Sequence, residues 1–305
     1  MLLKVYIGPI KSSMFLFGGV YLRKRSWLLF TLMALLWSLN WVVMKIGLKF
    51  VDPLNLVMQR LLLSSIILSP TLIWKRKNLP KDKFTWLKID VLSLINAACM
   101  TSTNIGLLHE TSGLSSLLTY TQPLFVFCLA VPFLGEKISL TRVSGLISGF
   151  LGIVTLYAGS FRSQINLSSP FLFLILGAFL WALTVIYYKK FLSHVDPAII
   201  NVIQFSMGAT FLLSIVFMFK GPTFSSNTLY ILSLLYMSAL GSAAASTIWL
   251  ILIKDEETTV ISTSSLIIPA MALIFSWIFL GEVIEQTTLL GLMLILAGIY
   301  LVNKR

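Results

Sequence analysis

The sequence has few charged residues and few residues that bind metals or form disulfides. Charged residues make up 11% of its 305 residues, whereas an average soluble domain has about 25%. So little charge cannot cover a protein with a polar surface, which excludes an ordinary soluble fold. The two cysteines, Cys99 and Cys128, lie in apolar segments, so no disulfide framework is expected. Two histidines and scattered acidic residues offer no metal-ligand cluster. We therefore expect no metal and no cofactor.

Hydrophobic residues are what the chain has in excess, at 57% with a mean hydropathy of +0.93. This composition predicts an all-α integral membrane protein, because helices pair their own backbone groups where lipid cannot. The net charge of +12 does not indicate a nucleic-acid partner, since the basic residues stand between apolar segments rather than on one face. The expected partners are the lipid bilayer and a small-molecule substrate, and a homodimer is left open.

Apolar runs separated by charged or turn-rich breaks predict ten transmembrane helices. Their approximate ranges are 27–45, 54–74, 86–108, 113–134, 139–158, 170–188, 198–219, 229–252, 257–280 and 286–303. With the N-terminus inside, the basic residues of the outer loops are only Lys45, Lys49, Arg162 and Lys220. This bias predicts a protein of the cytoplasmic (inner or plasma) membrane with both termini in the cytoplasm.

Residues 1–25 are predicted to form a cytoplasmic segment before the first span. The apolar run at 12–22 is too short to cross a bilayer and is followed by Arg23, Lys24 and Arg25. It also lacks a small-residue cleavage site, so a signal peptide is not expected. Both Met1 and Met14 remain candidates for the true start.

The chain repeats itself at an offset of 144 to 146 residues. "WSLNWVVMK" (37–45) resembles "WALTVIYYK" (181–189), and "FVDPLNL" (50–56) resembles "HVDPAII" (194–200). Further pairs in the same order are Pro123 and Pro269, Gly135 and Gly281, Glu136 and Glu282, Gly145 and Gly291, and Gly152 and Gly298. Five spans per copy is an odd number, so the second copy must lie inverted in the membrane. We predict a first repeat at 26–158, a linker at 159–169 and a second repeat at 170–305, the architecture of many secondary transporters.

Two stretches carry a resemblance to a known family. "TSGLSSLLTYTQPLFVFCLAVPFLGEKISLTRVSGLISGFLGIVTLYAG" (111–159) and "TTVISTSSLIIPAMALIFSWIFLGEVIEQTTLLGLMLILAGIYLV" (258–302) each have a central proline, a Leu-Gly-Glu turn and a glycine-spaced helix. This pattern resembles EamA-type members of the drug/metabolite transporter superfamily. "WSLNWVVMK" with "VDPLNLVMQRLLLSS" resembles that family's opening helix pair. The resemblance covers residues 27–303 and implies a fold of two five-helix repeats.

Polar and aromatic side chains within the spans are the candidates for a substrate cavity. Pro123 and Pro269 are expected to kink helices 4 and 9, and Ser115, Thr119 and Gln122 share one face by i, i+4, i+7 spacing. The alternative is a packing kink with locally bonded hydroxyls. Trp37 and Trp181 are either cavity walls or interfacial aromatics. The full candidate set is Trp37, Asn40, Arg60, Asn96, Asn104, Thr119, Tyr120, Gln122, Trp181, Gln204, Ser262 and Ser265.

Three charged residues within or next to the spans have open roles. Glu136 and Glu282 each precede a helix, so we expect them to cap the helix that follows, with ion coupling as the alternative. Arg60 lies about 10 Å along helix 2. It either attracts a substrate carboxylate or phosphate, or has a structural role by snorkelling to the interface or bonding backbone carbonyls.

The sequence favours a secondary transporter that moves a small organic metabolite by alternating access. The family resemblance implies export of an amino acid or related metabolite. Uptake or exchange of another metabolite, such as a nucleotide-like or vitamin-like compound, is the alternative. A nucleophile with its base, a phosphate-binding loop and a dinucleotide fingerprint are all missing from the sequence. We therefore predict that the protein is not an enzyme; an intramembrane enzyme or a channel are the weaker alternatives.

Overall fold

The protein is an all-α membrane protein. A computed structural model describes residues 14–17, 20–136, 139–158, 169–219, 221–283 and parts of a C-terminal helix at 290–291, 293–294, 297–298 and 300–301. Within these residues, eight helical segments are long and apolar enough to cross a membrane. They are Arg25–Gly47, Pro53–Trp74, Lys83–His109, Ser112–Leu134, Pro170–Phe191, Pro197–Phe219, Thr228–Asp255 and Thr258–Leu280. A further helix, Leu140–Ala158, and the C-terminal helix stand where the other two spans are predicted. The count of ten stays a prediction, and linker positions 159–168 lie outside the described residues.

Several of these spans are built from more than one helix. The α-helices are α1 (Lys24–Gly47), α2 (Pro53–Leu68), α3 (Pro70–Trp74), α4 (Lys83–His109), α5 (Ser112–Thr119), α6 (Gln122–Leu134), α7 (Leu140–Ala158), α8 (Ser169–Phe191), α9 (Pro197–Phe219), α10 (Thr228–Tyr236), α11 (Ala245–Asp255), α12 (Thr258–Ser264) and α13 (Ile267–Leu280). A π-helix, Met237–Ala244, joins α10 to α11, and a short 3₁₀ turn, Arg76–Asn78, follows α3.

Before α1, the described residues form a two-stranded antiparallel sheet. Strand β1 (Met14–Phe17) pairs with β2 (Val20–Arg23), with Met14 opposite Arg23. This sheet occupies part of the run that is too short to span a membrane. The rest of the predicted N-terminal segment, including Met1, lies outside the described residues.

Equivalent aspartates start the second helix of each repeat. Asp52 accepts hydrogen bonds from the amides of Leu54 and Asn55, each at 3.1 Å. Asp196 accepts from the amide of Ala198 at 2.9 Å and binds the Lys75 ammonium at 2.7 Å. Burial raises the pKa of the Asp196 carboxyl, but the Lys75 hydrogen bond and charge and the helix amides together lower it below its usual value. Both carboxylates thus satisfy amides that have no partner within the helix.

The two proline-containing spans are broken rather than continuous. Helix α5 ends at Thr119 and α6 begins at Gln122, so Pro123 occupies the first turn of a new helix. Helix α12 likewise ends at Ser264, and Pro269 lies in the first turn of α13. Proline is tolerated at such a position because its missing N–H would have no helical partner there. Both predicted kink positions are therefore the start of a second half-helix.

Glycines allow the closest helix crossings. A Cβ on Gly298 of the C-terminal helix would lie 2.6 Å from both the Gly145 carbonyl oxygen and the Gly149 amide nitrogen of α7. A Cβ on Gly177 of α8 would lie 2.4 Å from the Thr103 hydroxyl of α4. Lipid gives helices no hydrophobic reason to associate, so close backbone contact of this kind supplies much of the attraction.

Gly298→Ala should lower the stability of the protein in detergent. The new methyl would meet backbone atoms of α7, which cannot move aside as a side chain can, and overpacking typically costs about 1–3 kcal/mol. The measurement is the thermal unfolding midpoint of the purified protein. Gly149→Ala is the matched control, because its Cβ would meet only the flexible end of Leu266, at 3.0 Å. Equal loss in both variants would contradict the backbone contact.

Gln122→Met should raise the thermal unfolding midpoint. The Gln122 side chain is fully buried, and neither its amide nitrogen nor its oxygen has a hydrogen-bond partner among the described residues. An unsatisfied buried polar group costs about 1–3 kcal/mol, which an apolar side chain of similar length removes. Gln204→Met serves as the comparison and should destabilise, because Gln204 donates to the Asn201 side chain. A lower midpoint for Gln122→Met would overturn the prediction.

Candidate functional site

A central cavity of about 150 Å³ lies between the two repeats. It is bounded by side chains of α1, α2, α4 and the α5–α6 break from the first repeat, and of α8, α9 and α11 from the second. Nine of the twelve predicted cavity residues line it: Trp37, Asn40, Arg60, Asn96, Asn104, Thr119, Tyr120, Trp181 and Gln204. Thr184, one turn after Trp181, lines it as well. Residues from distant parts of the sequence are thus brought to one place.

Gln122, Ser262 and Ser265 do not line this cavity. The i, i+4, i+7 spacing placed Gln122 on the face of Thr119, but the helix ends at Thr119 and the periodicity does not continue across the break. In the second repeat, Ser265 follows α12 directly, and its hydroxyl donates to the Ser262 carbonyl at 2.6 Å. The cavity wall from that repeat comes from α8, α9 and α11 instead. The two broken spans therefore have similar backbones, but only the first contributes side chains to the cavity lining.

Aromatic rings form one wall of the cavity. The ring centroids of Trp37 and Trp181 are 5.6 Å apart, and that of Trp249 lies 5.3 Å from Trp37 and 5.6 Å from Trp181. Tyr120 meets Trp181 edge to face at 5.2 Å. Such pairs are favourable beyond their buried area and hold the rings in place. Trp37 and Trp181 are thus cavity walls rather than interfacial aromatics.

Trp249 is a cavity residue that the sequence analysis did not single out. It lies about two turns before the end of its span, Thr228–Asp255. Tryptophans of an interfacial belt also stand near the ends of spans, so its position in the sequence gave no signal that it lines a cavity. The equivalent residue of the first repeat, Thr103, is not aromatic, which is why the search for repeated pairs passed over it.

The opposite wall is polar and centres on Arg60. Its side chain is 6% exposed; Nε donates to the Ser242 hydroxyl at 2.7 Å and Nη1 to the Met44 sulfur at 3.3 Å. No carboxylate is among the described residues that line the cavity. Asn40 lies alongside, its side-chain oxygen without a hydrogen-bond partner among the described residues. The guanidinium is therefore held by neutral groups alone.

The π-helix positions both walls. The Trp37 indole N–H donates to the Gly241 carbonyl at 2.9 Å, and Ser242 next to it accepts from Arg60. A Cβ on Gly241 would lie 2.3 Å from the Asn40 side-chain oxygen, so a larger residue would push the Asn40 side chain aside. π-helices are rare and are frequent at functional sites. This segment was predicted as part of an ordinary span, because periodicity does not reveal a widened turn.

Amide side chains complete the lining. Asn201 donates to the Thr247 hydroxyl at 2.9 Å and accepts from Gln204, the equivalent of Arg60 in the second repeat. Asn104 donates to the Met100 carbonyl at 2.8 Å, while its oxygen has no partner among the described residues. Asn96 is half-buried, with its amide 3.9 Å from the Met100 sulfur. The polar part of the cavity thus combines one cation with neutral donors and acceptors.

Glu136 and Glu282 each bind the start of a helix in the opposite repeat. Glu136 accepts from the Thr258 amide at 3.0 Å and the Thr259 amide at 3.2 Å, at the start of α12 in the other repeat. Glu282 reaches back to α5 in the same way: it accepts from the amides of Ser112 at 2.9 Å and Gly113 at 3.2 Å. Both carboxylates therefore cap a helix start, as expected of them, but the described contacts are with the opposite repeat rather than with the helix that follows in the chain. The start of the helix after Glu282 lies outside the described residues.

At each of the same two turns, a lysine binds the carbonyls at the end of the preceding helix. The Lys45 ammonium donates to the carbonyls of Leu107 at 2.8 Å and Glu110 at 2.7 Å. In the second repeat, Lys189 donates to the carbonyls of Ile253 at 2.6 Å and Glu256 at 3.0 Å. The reciprocal glutamate contacts and these paired lysine contacts are what a two-fold relation between the repeats generates.

The ion pair between Arg142 and Glu257 does not follow this symmetry. Arg142 binds both carboxylate oxygens of Glu257, with Nη1 to Oε1 at 2.5 Å and Nη2 to Oε2 at 2.8 Å. The pair joins the start of α7 to the start of α12, beside Glu136. The equivalent positions at the other end are Thr288 and Thr111, which cannot form an ion pair. No group of three or more metal-binding side chains occurs in the described part of the chain.

Comparisons with known proteins agree with this architecture. The EamA-like transporter family matches residues 24–158 and 168–304, one match for each repeat. The transporter YvbV of Bacillus subtilis (strain 168) is 30% identical over 93% of this chain and 93% of its own length. A probable amino-acid metabolite efflux pump of Salmonella typhimurium (strain LT2) is 28% identical over 92% of this chain and 95% of its own.

A solved structure shares the fold. It superposes with a TM-score of 0.75 at 15% sequence identity and covers 92% of this chain and 96% of its own. At this identity the likeness concerns the fold alone. The two family matches span nearly the whole chain, one on each copy of the repeat that encloses the cavity. The chain therefore belongs to the EamA-like transporter family.

Proposed function

We propose that the protein is a secondary transporter of a small organic metabolite, with efflux of an amino acid or related compound across the cytoplasmic membrane as the favoured activity. The observation that carries the proposal is the cavity between the two repeats, which is lined from both by aromatic and amide side chains. Similarity to efflux pumps of Salmonella typhimurium and Escherichia coli (strain K12), each named a probable amino-acid metabolite efflux pump, supports the direction and the substrate class. Uptake and exchange remain the alternatives that the transport assay decides.

The carboxylate contacts support a mechanism of alternating access. Glu136 ties the repeats together at one end of the bundle and Glu282 ties them together at the other, so carboxylate contacts hold the repeats at both ends. Rocking of the repeats would break one set of contacts while the other holds. In the orientation predicted from the basic residues, the Glu136 end faces the cytoplasm. The Arg142–Glu257 pair adds a tie at that end only, so we expect the empty protein to open more readily at the outer end.

Overproducing cells should accumulate less of the transported metabolite than control cells. A panel of amino acids and related metabolites, scored by growth inhibition and by intracellular content, identifies the substrate. Increased accumulation would reassign the protein to uptake. No effect on any compound would overturn the efflux proposal for that panel and return attention to the channel and enzyme alternatives.

Trp181→Ala should reduce transport by roughly tenfold or more, since a loss of about 1.4 kcal/mol in substrate binding is tenfold in affinity. The change removes the ring that contacts Trp37, Trp249 and Tyr120. Trp277→Ala is the matched control, because that ring is 57% exposed on the outer surface of the bundle. Membrane insertion of both variants is checked by immunoblot. Equal transport by the two would contradict the assignment of this cavity.

Removing either carboxylate should open the cavity at one end only. A single cysteine is placed in the cavity by Ser246→Cys in a Cys99→Ala, Cys128→Ala background. Glu282→Gln should increase its labelling by a membrane-impermeant thiol reagent added outside cells. Glu136→Gln should increase labelling in inside-out vesicles, because a neutral amide accepts weaker hydrogen bonds from the helix amides. Arg142→Gln should act like Glu136→Gln, whereas Thr111→Ser, at the equivalent of Glu257, should change neither, because it keeps the hydroxyl that accepts from the Leu114 amide at the start of α5. Unchanged labelling in both glutamate variants would rule out these contacts as gates.

A further inference from the structure

We propose that the cavity binds a compact organic molecule with a single carboxylate, which pairs with Arg60 while the rest of the molecule meets the aromatic wall. The inference rests on the proposed transport function and assigns the chemical class of its substrate. It starts from the guanidinium, which is buried within a membrane span without an acidic partner among the described residues. A charge in that position is costly unless another group compensates it.

The structure removes the two structural explanations that the sequence left open for Arg60. The side chain does not snorkel to an interface, because it is buried and turned into the cavity. It also makes no hydrogen bond to a helix carbonyl among the described residues: its partners are the Ser242 hydroxyl and the Met44 sulfur. Both are weak, neutral acceptors for a charged donor. The positive charge is therefore presented to whatever occupies the cavity.

The geometry favours a single carboxylate over a phosphate. Ser242 occupies Nε, so the Nη1–Nη2 edge is the one that a planar carboxylate can engage at two points. Among the described lining residues, Arg60 is also the only one with a basic side chain. A phosphate group carries a charge of about −2, so part of that charge would stay uncompensated in the cavity. Asn40, whose oxygen is unpaired, is close enough to accept from an ammonium or hydroxyl on the same molecule.

The other wall decides what the rest of the molecule can be. Trp37, Trp181 and Trp249 offer ring faces and edges but no negative charge. An apolar body packs against such a wall, and an ammonium can lie over a ring face. A cavity of about 150 Å³ has room for a compact body of about ten non-hydrogen atoms. Small carboxylic acids and small amino acids fit these conditions, whereas dicarboxylates do not, since a second anion has no partner.

The test uses purified protein in detergent and compares ligands that differ only in the carboxylate. Isobutyrate is compared with isobutyramide, valine with valinamide, and inorganic phosphate is included as the second anion. Four tryptophans line the cavity, Trp37, Trp41, Trp181 and Trp249, so intrinsic fluorescence reports occupancy, and the thermal midpoint gives an independent readout. The carboxylates should bind about tenfold or more tightly than the matched amides, since a charge-assisted hydrogen-bond pair is lost in the amides. Phosphate should have little effect.

Variants assign the preference to Arg60. Arg60→Gln should abolish the discrimination between carboxylate and amide, and Arg60→Lys should retain only part of it, because an ammonium lacks the planar fork. Lys81→Gln, the same loss of charge on an exposed residue, should change nothing. If Arg60→Gln does not fold, Gly241→Ala replaces it. The new methyl would crowd the Asn40 oxygen and lie 3.4 Å from Arg60 Nη2. It therefore narrows the part of the cavity next to Arg60 without changing the charge of the cavity.

Equal binding of carboxylates and amides, tighter binding of phosphate, or no effect of the carboxylates at any concentration would each overturn the inference. So would an Arg60→Gln variant that keeps the preference. These outcomes leave the transport proposal standing if Trp181→Ala still abolishes transport. Loss of the Trp181 effect, with carboxylate binding intact, would instead contradict the transport mechanism and keep the anion site.

Discussion

The ends of helices leave backbone amides and carbonyls without partners inside the helix, and those buried between the repeats must find partners in the protein. The turn between α4 and α5 shows how this is met: Lys45 binds the carbonyls that end one helix, and Glu282 binds the amides that start the next. Lys189 and Glu136 do the same for the turn between α11 and α12. In each case the lysine comes from the same repeat and the glutamate from the other. Satisfying the backbone therefore requires both copies together.

This requirement links the fold to conformational change. A contact that closes a helix end across the interface of the repeats is made or lost as a unit when the repeats rock. Breaking it exposes a few amides, each of which must then find water, so the separated state is stable only where water reaches that end. The energetics thus favour a structure that is open at one end or closed at both. The Arg142–Glu257 pair makes the two ends unequal without disturbing the symmetric contacts beneath it.

The sequence was sufficient for the class of fold, because hydropathy and the offset of 144 to 146 residues follow from composition and order alone. Nine of its twelve candidates for the substrate cavity line one cavity in the structure, since polar groups within a span tend to face the protein interior. Its predictions were wrong or incomplete where the chain departs from the regular period of the α-helix. Gln122 lies beyond a break that proline suggested but could not position, and Trp249 follows a π-helix that no period reveals.

The capping partners of Glu136 and Glu282 were beyond the sequence for another reason. Local rules relate a carboxylate to amides a few residues away, whereas these contacts join positions that are 122 and 170 residues apart. Only the two-fold packing of the repeats brings them together. The repeated Leu-Gly-Glu turn was visible as a pair, but its function depends on the geometry between the pair, which is a property of the assembled fold.

The charge of the cavity comes from a position at which the two repeats differ. Arg60 and Gln204 occupy equivalent places, yet one is a cation with neutral partners and the other an amide bonded to Asn201. The empty cavity therefore carries one positive charge, on Arg60, that no acidic residue among the described lining residues neutralises. Moving a full charge across the membrane potential involves about 2.3 kcal/mol per 100 mV. A monoanionic substrate paired with Arg60 would cancel that charge, so the loaded protein would change conformation with less electrical work than the empty one. The repeats would then rock more easily with substrate bound than without it, both outward and inward. A transporter with this bias exchanges one substrate molecule for another more readily than it returns empty.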